Sequence, residues 1–235
     1  LPCYMSGHHH DTTEAYVEEA LRARDQGFAG YKDHCHLGAD GMAGVARACR
    51  EAVGEDFHLM HDAVAQYILV DALRLGRVLD ETGYYWFEEP LKDCDIMGLK
   101  QLCDALDLPI AATEYLPGTA HATSQVLAQG AADIVRASVP WRGGITDMLK
   151  IARLAESFDV ACEITSVGTS FGFVHAHVIG ALRNCTFFEG WKPGALGGEP
   201  YLTNPIHIVD GHVEVPQGPG LGMQLNWAAI EAGVS

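Results

Sequence analysis

The chain has 235 residues and 48% hydrophobic content, enough for one large single-core domain of the size at which α/β barrels run undivided. Its formal net charge of −16, with no basic run, argues against a nucleic-acid surface, and no apolar run is long enough to span a bilayer. The start lacks a signal-peptide pattern, and seven cysteines, odd in number and without close metal-type spacing, predict reduced, mostly buried thiols in a cytoplasmic protein.

Short apolar runs alternate with longer amphipathic stretches. The first predicted strand covers 1–5. A helix follows from about Thr12, with Asp11 as N-cap candidate, Glu14 three residues on and Gly27 just past the end. Further strands are predicted at 28–34, 58–61, 84–87, 109–112, 133–137, 160–164 and 185–188. The segment 41–53 reads as the second helix, and Ile68, Leu69, Ala72, Leu73 and Leu75 mark the third, which ends before Gly83. Helical segments at 95–106, 119–129, 146–157 and 170–182 fill the remaining gaps.

Repeated strand–helix alternation requires a parallel sheet, because parallel neighbours need a long crossover. Eight such strands close into a TIM-type α/β barrel, here a modified (β/α)7β arrangement. A doubly wound open sheet is the runner-up, but no glycine-rich phosphate loop follows the first strand. The barrel is expected over 1–194. A C-terminal tail, 195–235, with strand-like pieces at 205–209 and 212–215 and a P-G-L-G turn at 219–222, is expected to pack on it.

Asp62, Glu88 and Glu114 stand at or just after the ends of consecutive predicted strands, 26 residues apart in each step. Equal offsets put them at one height at the C-terminal mouth, where barrel active sites lie. Any one alone is more often a helix cap or a surface residue. Three in register would repel unless protonated or neutralised, and an all-oxygen set suits a hard octahedral ion such as Mg²⁺. Glu163 and Glu189 continue the phase at the seventh and eighth strands, while Glu89, beside Glu88, alternates away. Lys32 and His34 share a face of the second strand and are candidates for an acid/base beside the metal, with His36 at the same parity but already in the loop. Arg136 and Arg142 are candidates for substrate or subunit contacts, with surface salt bridging as the alternative. His121, His175 and His177 read as helix residues.

The ordered set G-F-A-G-Y-K-D-H (27–34), H-L-M-H-D (58–62), W-F-E-E-P (86–90), P-I-A-A-T-E (109–114), R-G-G-I-T (142–146), F-F-E-G (187–190) and P-G-L-G (219–222) resembles the enolase superfamily, in its mandelate racemase/muconate lactonizing enzyme-like branch. The resemblance implies that Asp62, Glu88 and Glu114 are Mg²⁺ ligands. It also implies that Lys32 sits near the substrate carboxylate, that His34 is the acid/base, and that Glu189 hydrogen-bonds that carboxylate. Trp141 and Arg142 are expected at the substrate. The shared chemistry is removal of a proton next to a carboxylate.

Three departures from the family pattern bear on the reaction. Ser138 stands where many members of the branch carry a sixth-strand Asp, and the seventh-strand end reads E-I-T-S, without the His that pairs with it. Trp141 occupies the position at which another branch places a catalytic Lys. The capping domain that selects substrate in this family lies outside these 235 residues. With one evident base, the expected reaction is dehydration of a sugar acid. The alternatives are a racemase, epimerase or cycloisomerase, with His8, His9 or His10 serving the second face; a barrel that binds an acid anion without turnover; and a purely structural carboxylate cluster. A homo-oligomer, from dimer to octamer, is implied by the resemblance.

Overall fold

The computed structural model describes residues 1–165, 169–191 and 201–233. Eight strands run parallel: β1 (Cys3–Ser6), β2 (Gly30–Asp33), β3 (His58–Asp62), β4 (Trp86–Glu88), β5 (Ile110–Ala112), β6 (Ile134–Ala137), β7 (Ala161–Ile164) and β8 (Phe188–Trp191). Between them lie α1 (Thr13–Asp25), α2 (Gly38–Val53), α3 (Leu69–Glu81), α4 (Ile96–Ala105), α5 (Ala120–Gln129), α6 (Gly144–Glu156) and α7 (Thr169–Gly180), and α8 (Trp227–Gly233) follows in the tail. Neighbours in the sheet are consecutive in sequence, and β8 returns to pair with β1. The predicted barrel is therefore the observed one.

Periodicity explains the helices. On α2, Met42, Val45, Ala46, Cys49 and Val53 are buried at helical spacing and face the sheet. The cap of α1 is Thr12, whose hydroxyl accepts from Ala15 N at 3.3 Å; Asp11, the expected cap, lies exposed one residue too early. The strands are buried on both faces, as parallel strands covered by helices must be. Tyr4, Met60, Trp86, Ala111, Ile134 and Phe187 form one apolar cluster inside the barrel, separate from the larger cluster between strands and helices.

Two expectations shift. The eighth strand begins at Phe188, three residues later than predicted, because the preceding residues serve the seam between β7 and β8. There the Glu163 carboxylate accepts the backbone N–H groups of Thr186 (2.8 Å) and Phe187 (3.2 Å). Glu163 thus stands in for ladder hydrogen bonds and is not at the mouth. The tail pieces at 205–209 and 212–215 make isolated bridges and no strands among the described residues. One bridge joins Pro2 to His212, and Val213 is buried against the start of β1 through reciprocal bonds with Leu1. The proposed boundary at 194/195 falls outside the described residues. No helix among them is long and apolar enough to cross a membrane.

Candidate active site

The register of β3 and β4 pairs Asp62 directly with Glu88. His34 follows the Asp33–His61 pair by one residue, so it reaches the same level, and Lys32 lies a layer below with a side chain long enough to rise to it. Glu114 arrives differently. Glu88 pairs with Ala111, so Glu114 lies three residues beyond that level and equal spacing does not give equal register. It is turned into the mouth by a kink at Thr113, whose φ is 87°.

That kink is held by buried carboxyls. Asp93 accepts from Thr113 N (2.8 Å) and Tyr115 N (2.7 Å), and Glu89 accepts from Glu114 N (3.0 Å). Burial, together with Asp93 beside it, pushes the Glu89 carboxyl well above the ordinary carboxylate range. Arg142 braces the same loop: its wholly enclosed guanidinium donates to the carbonyls of Thr113 and Gly118 and to Thr123 Oγ1 (2.8 Å). The expected substrate contact by Arg142 is therefore corrected. Its side chain turns into the protein because the carbonyls freed by the kink need donors.

At the mouth a cavity of about 310 Å³ is lined by Lys32, His34, Asp62, Glu89, Glu114, Thr165 and Glu189, with Val64, Ala65, Tyr115 and Trp141 at its rim. The Lys32 ammonium lies 2.9 Å from Glu88, 3.0 Å from Glu189 and 3.3 Å from Asp62. Burial opposes its charge, but Glu189 and Glu88 outweigh burial and hold its pKa well above that of free lysine. Lys32 is thus held among three carboxylates at the floor of the cavity. His34 Nε2 stands 3.3 Å from Asp62 Oδ2, and Asp62 raises the imidazole pKa against the opposing effect of burial. Burial pushes Glu114 up to about 7, with Arg136 pulling it down and Glu88 adding to the rise, and Thr165 Oγ1 donates to it at 2.9 Å.

Arg136 is the residue that sequence reasoning left undecided. It is completely buried on β6, donating to Glu88 (2.9 Å) and Glu189 (3.1 Å) inside the barrel. The signal was present: an arginine within the apolar run I-V-R-A must be paired. Glu88 also accepts from Trp86 Nε1 at 2.9 Å. Around the site, the four carboxyl groups of Asp62, Glu88, Glu114 and Glu189 outnumber the two cationic side chains Lys32 and Arg136. The all-carboxylate donor set and the raised pKa of Glu114 fit Mg²⁺. As the side chains lie, no group of three among the described residues encloses an ion, and the Lys32 ammonium contacts both Asp62 and Glu88.

The opposite side of the cavity offers no imidazole among the described residues. Ser138 is buried with its hydroxyl unbonded, Thr165 is engaged with Glu114, and His175 is enclosed behind β6, where its Nε2 accepts from Val139 N at 3.3 Å. His8, His9 and His10 do not line the cavity. Trp141 lies at the rim, its ring 4.7 Å from that of Tyr115 and tilted by 34°.

A family model described as enolase C-terminal domain-like matches residues 15–229. The L-talarate/galactarate dehydratase of Salmonella typhimurium is 31% identical over 232 residues, covering 96% of this chain and 55% of that protein. The arabinonate dehydratase of Saccharolobus solfataricus is 32% identical over 220 residues, covering 91% of this chain and 57% of that protein. Other relatives are named as a cycloisomerase and a racemase. Among solved structures, D-glucarate dehydratase from Agrobacterium tumefaciens, complexed with magnesium, superposes with a TM-score of 0.90 at 33% identity, over 99% of this chain and 65% of that one. The chain therefore spans somewhat over half the length of these curated relatives.

Proposed function

This chain belongs to the enolase C-terminal domain-like family, and from that premise we propose that the protein is a Mg²⁺-dependent sugar-acid dehydratase, a lyase acting on a small-molecule carboxylate. The observation that carries the reading is one-sidedness: His34 faces the cavity from β2, and no second imidazole faces it among the described residues. Two-base racemisation needs acid/base groups on both faces of the α-carbon, whereas a syn elimination needs one.

Asp62, Glu88 and Glu114 would hold the Mg²⁺, which when bound supplies positive charge beside the carboxylate whose α-proton is removed. In this mechanism Lys32 donates to an oxygen of that carboxylate, kept charged and in place by Glu88 and Glu189. His34 takes the α-proton at Nε2 and returns it to the departing β-hydroxide. Water leaves, and the enol product tautomerises to a 2-keto-3-deoxy acid. Glu189, through its bonds to Lys32 and Arg136, sets the position of the ammonium. Trp141 and Tyr115 present ring faces to the carbon chain of the acid. The seven cysteines, all free, support a reducing compartment such as the cytoplasm.

The test is incubation of the full-length protein with Mg²⁺ and a panel of sugar acids that includes galactarate, arabinonate and glucarate. A keto acid formed by wild type and lost in His34→Ala supports the dehydratase. An epimer formed without loss of water moves the assignment to the racemases of the same superfamily. No turnover of any acid favours a barrel that binds an acid anion without acting on it.

A further inference from the structure

The run His8-His9-His10 lies outside the cavity, yet it is built into the protein. His8 and His10 turn toward Glu19 on α1, whose carboxylate is wholly buried. It accepts from His8 N (3.0 Å), His8 Nδ1 (3.3 Å), His10 Nε2 (2.8 Å) and Tyr31 Oη (3.0 Å). Burial alone would raise the pKa of this acid; the donors around it bring it below the usual glutamate value. A buried carboxylate with four donors is a fixed anchor for the loop that carries them.

The loop in turn holds His34. Gly7 N donates to Lys32 O at 2.9 Å, His34 Nδ1 donates to Gly7 O at 3.0 Å, and His9 Nδ1 donates to His34 O at 2.6 Å. Residues 7–9 and 32–34 are thus latched in both directions. The fit is close: a Cβ on Gly7 would lie 2.5 Å from Tyr31 Cε2 and 2.7 Å from Glu19 Oε2. A carbonyl only accepts, so the Gly7 bond needs the proton on Nδ1 of neutral His34; Nε2 faces the cavity, where Asp62 Oδ2, 3.3 Å away, competes for the same proton.

We infer that Glu19 is a positioning residue for His34: by anchoring the His8–His10 loop, it holds the Gly7 carbonyl that fixes the imidazole tautomer and ring orientation. The inference rests on the reading of His34 as the group that moves the α-proton, but its test does not use turnover. The probe is long-range ¹H–¹⁵N NMR of the histidine-labelled chain, at a pH high enough for the His34 ring to be neutral. Wild type is expected to show His34 as a single Nδ1–H tautomer. Glu19→Ala is expected to convert it to a mixture, and Glu19→Gln, which keeps an acceptor in place, to restore the single form. His10→Ala removes the 2.8 Å bond, along with an edge contact to the Tyr16 ring, from a partly exposed position and is expected to shift the His34 signals in the same direction as Glu19→Ala. An Nε2–H tautomer in wild type would overturn the proposal. So would unchanged His34 signals in folded Glu19→Ala, or in His10→Ala should Glu19→Ala not fold. Because the signal is read without substrate, failure to act on sugar acids would count against the functional reading alone.

Discussion

Arg136 donates its Nε–H to Glu88 across 2.9 Å at the centre of the barrel, with both side chains wholly buried. Removing one partner of a buried ion pair leaves the other charge uncompensated, which costs about 3–5 kcal/mol. Arg136→Met is therefore expected to lower the unfolding free energy by about that amount, because Glu88 and Glu189 both lose a donor. That is a large share of the roughly 5–15 kcal/mol typical of a folded protein. Urea unfolding of the two proteins, compared at pH 7, checks it; a change below about 1 kcal/mol would mean that Lys32 alone neutralises the pair.

Magnesium is expected to bind through Asp62, Glu88 and Glu114. Calorimetric titration should show binding to wild type, with Mg²⁺ raising the melting temperature by mass action. Asp62→Asn, Glu88→Gln and Glu114→Gln should each weaken binding by at least about 10-fold, the lower end of the loss found even for groups one bond removed from a metal. A melting temperature indifferent to Mg²⁺ would support the purely structural carboxylate cluster.

His175 makes a separate prediction about acid stability. Burial lowers its pKa to about 4, against about 6.5 in an unfolded chain. Above pH 6.5 neither state carries the proton and the stability is complete. As pH falls from 6.5 toward 4, the unfolded chain takes up a proton that the folded one excludes, so stability is lost, by about 3 kcal/mol at pH 4. His175→Gln, which can still accept from Val139 N, should flatten this limb of the stability curve. Urea unfolding at pH 7, 5.5 and 4.5 measures the difference.

Trp141 stands at the rim, 44% exposed and against Tyr115. If its ring face takes the carbon chain of the acid, Trp141→Ala should raise KM by roughly five- to tenfold with little change in kcat, an aromatic contact of about 1 kcal/mol. Steady-state kinetics on the turned-over acid decides it; an unchanged KM would remove Trp141 from the substrate contacts.

Much of the fold was legible because its signals are local. Apolar runs of four to seven residues between amphipathic stretches located seven of the strands closely, and the Asp62–Glu88 spacing matched a real register pair. What escaped was decided by tertiary contact. Glu163 keeps the strand phase, yet the seam between β7 and β8 lacks N–H acceptors and draws its carboxylate there. Arg142 looked like a mouth cation, but the carbonyls around the Thr113 kink claim it. The three consecutive histidines gave no sequence clue to Glu19, which lies a helix away and is brought beneath them by the α1 crossover.

The most direct test of the central claim is the α-proton exchange rate of a sugar acid in D₂O with Mg²⁺, followed by ¹H NMR for wild type and His34→Ala. If His34 moves the proton, wild type exchanges the α-position or passes it on to elimination, and the variant loses about 10²–10⁴-fold in that rate. Exchange by His34→Ala at the wild-type rate would contradict the account and place the base elsewhere in the mouth.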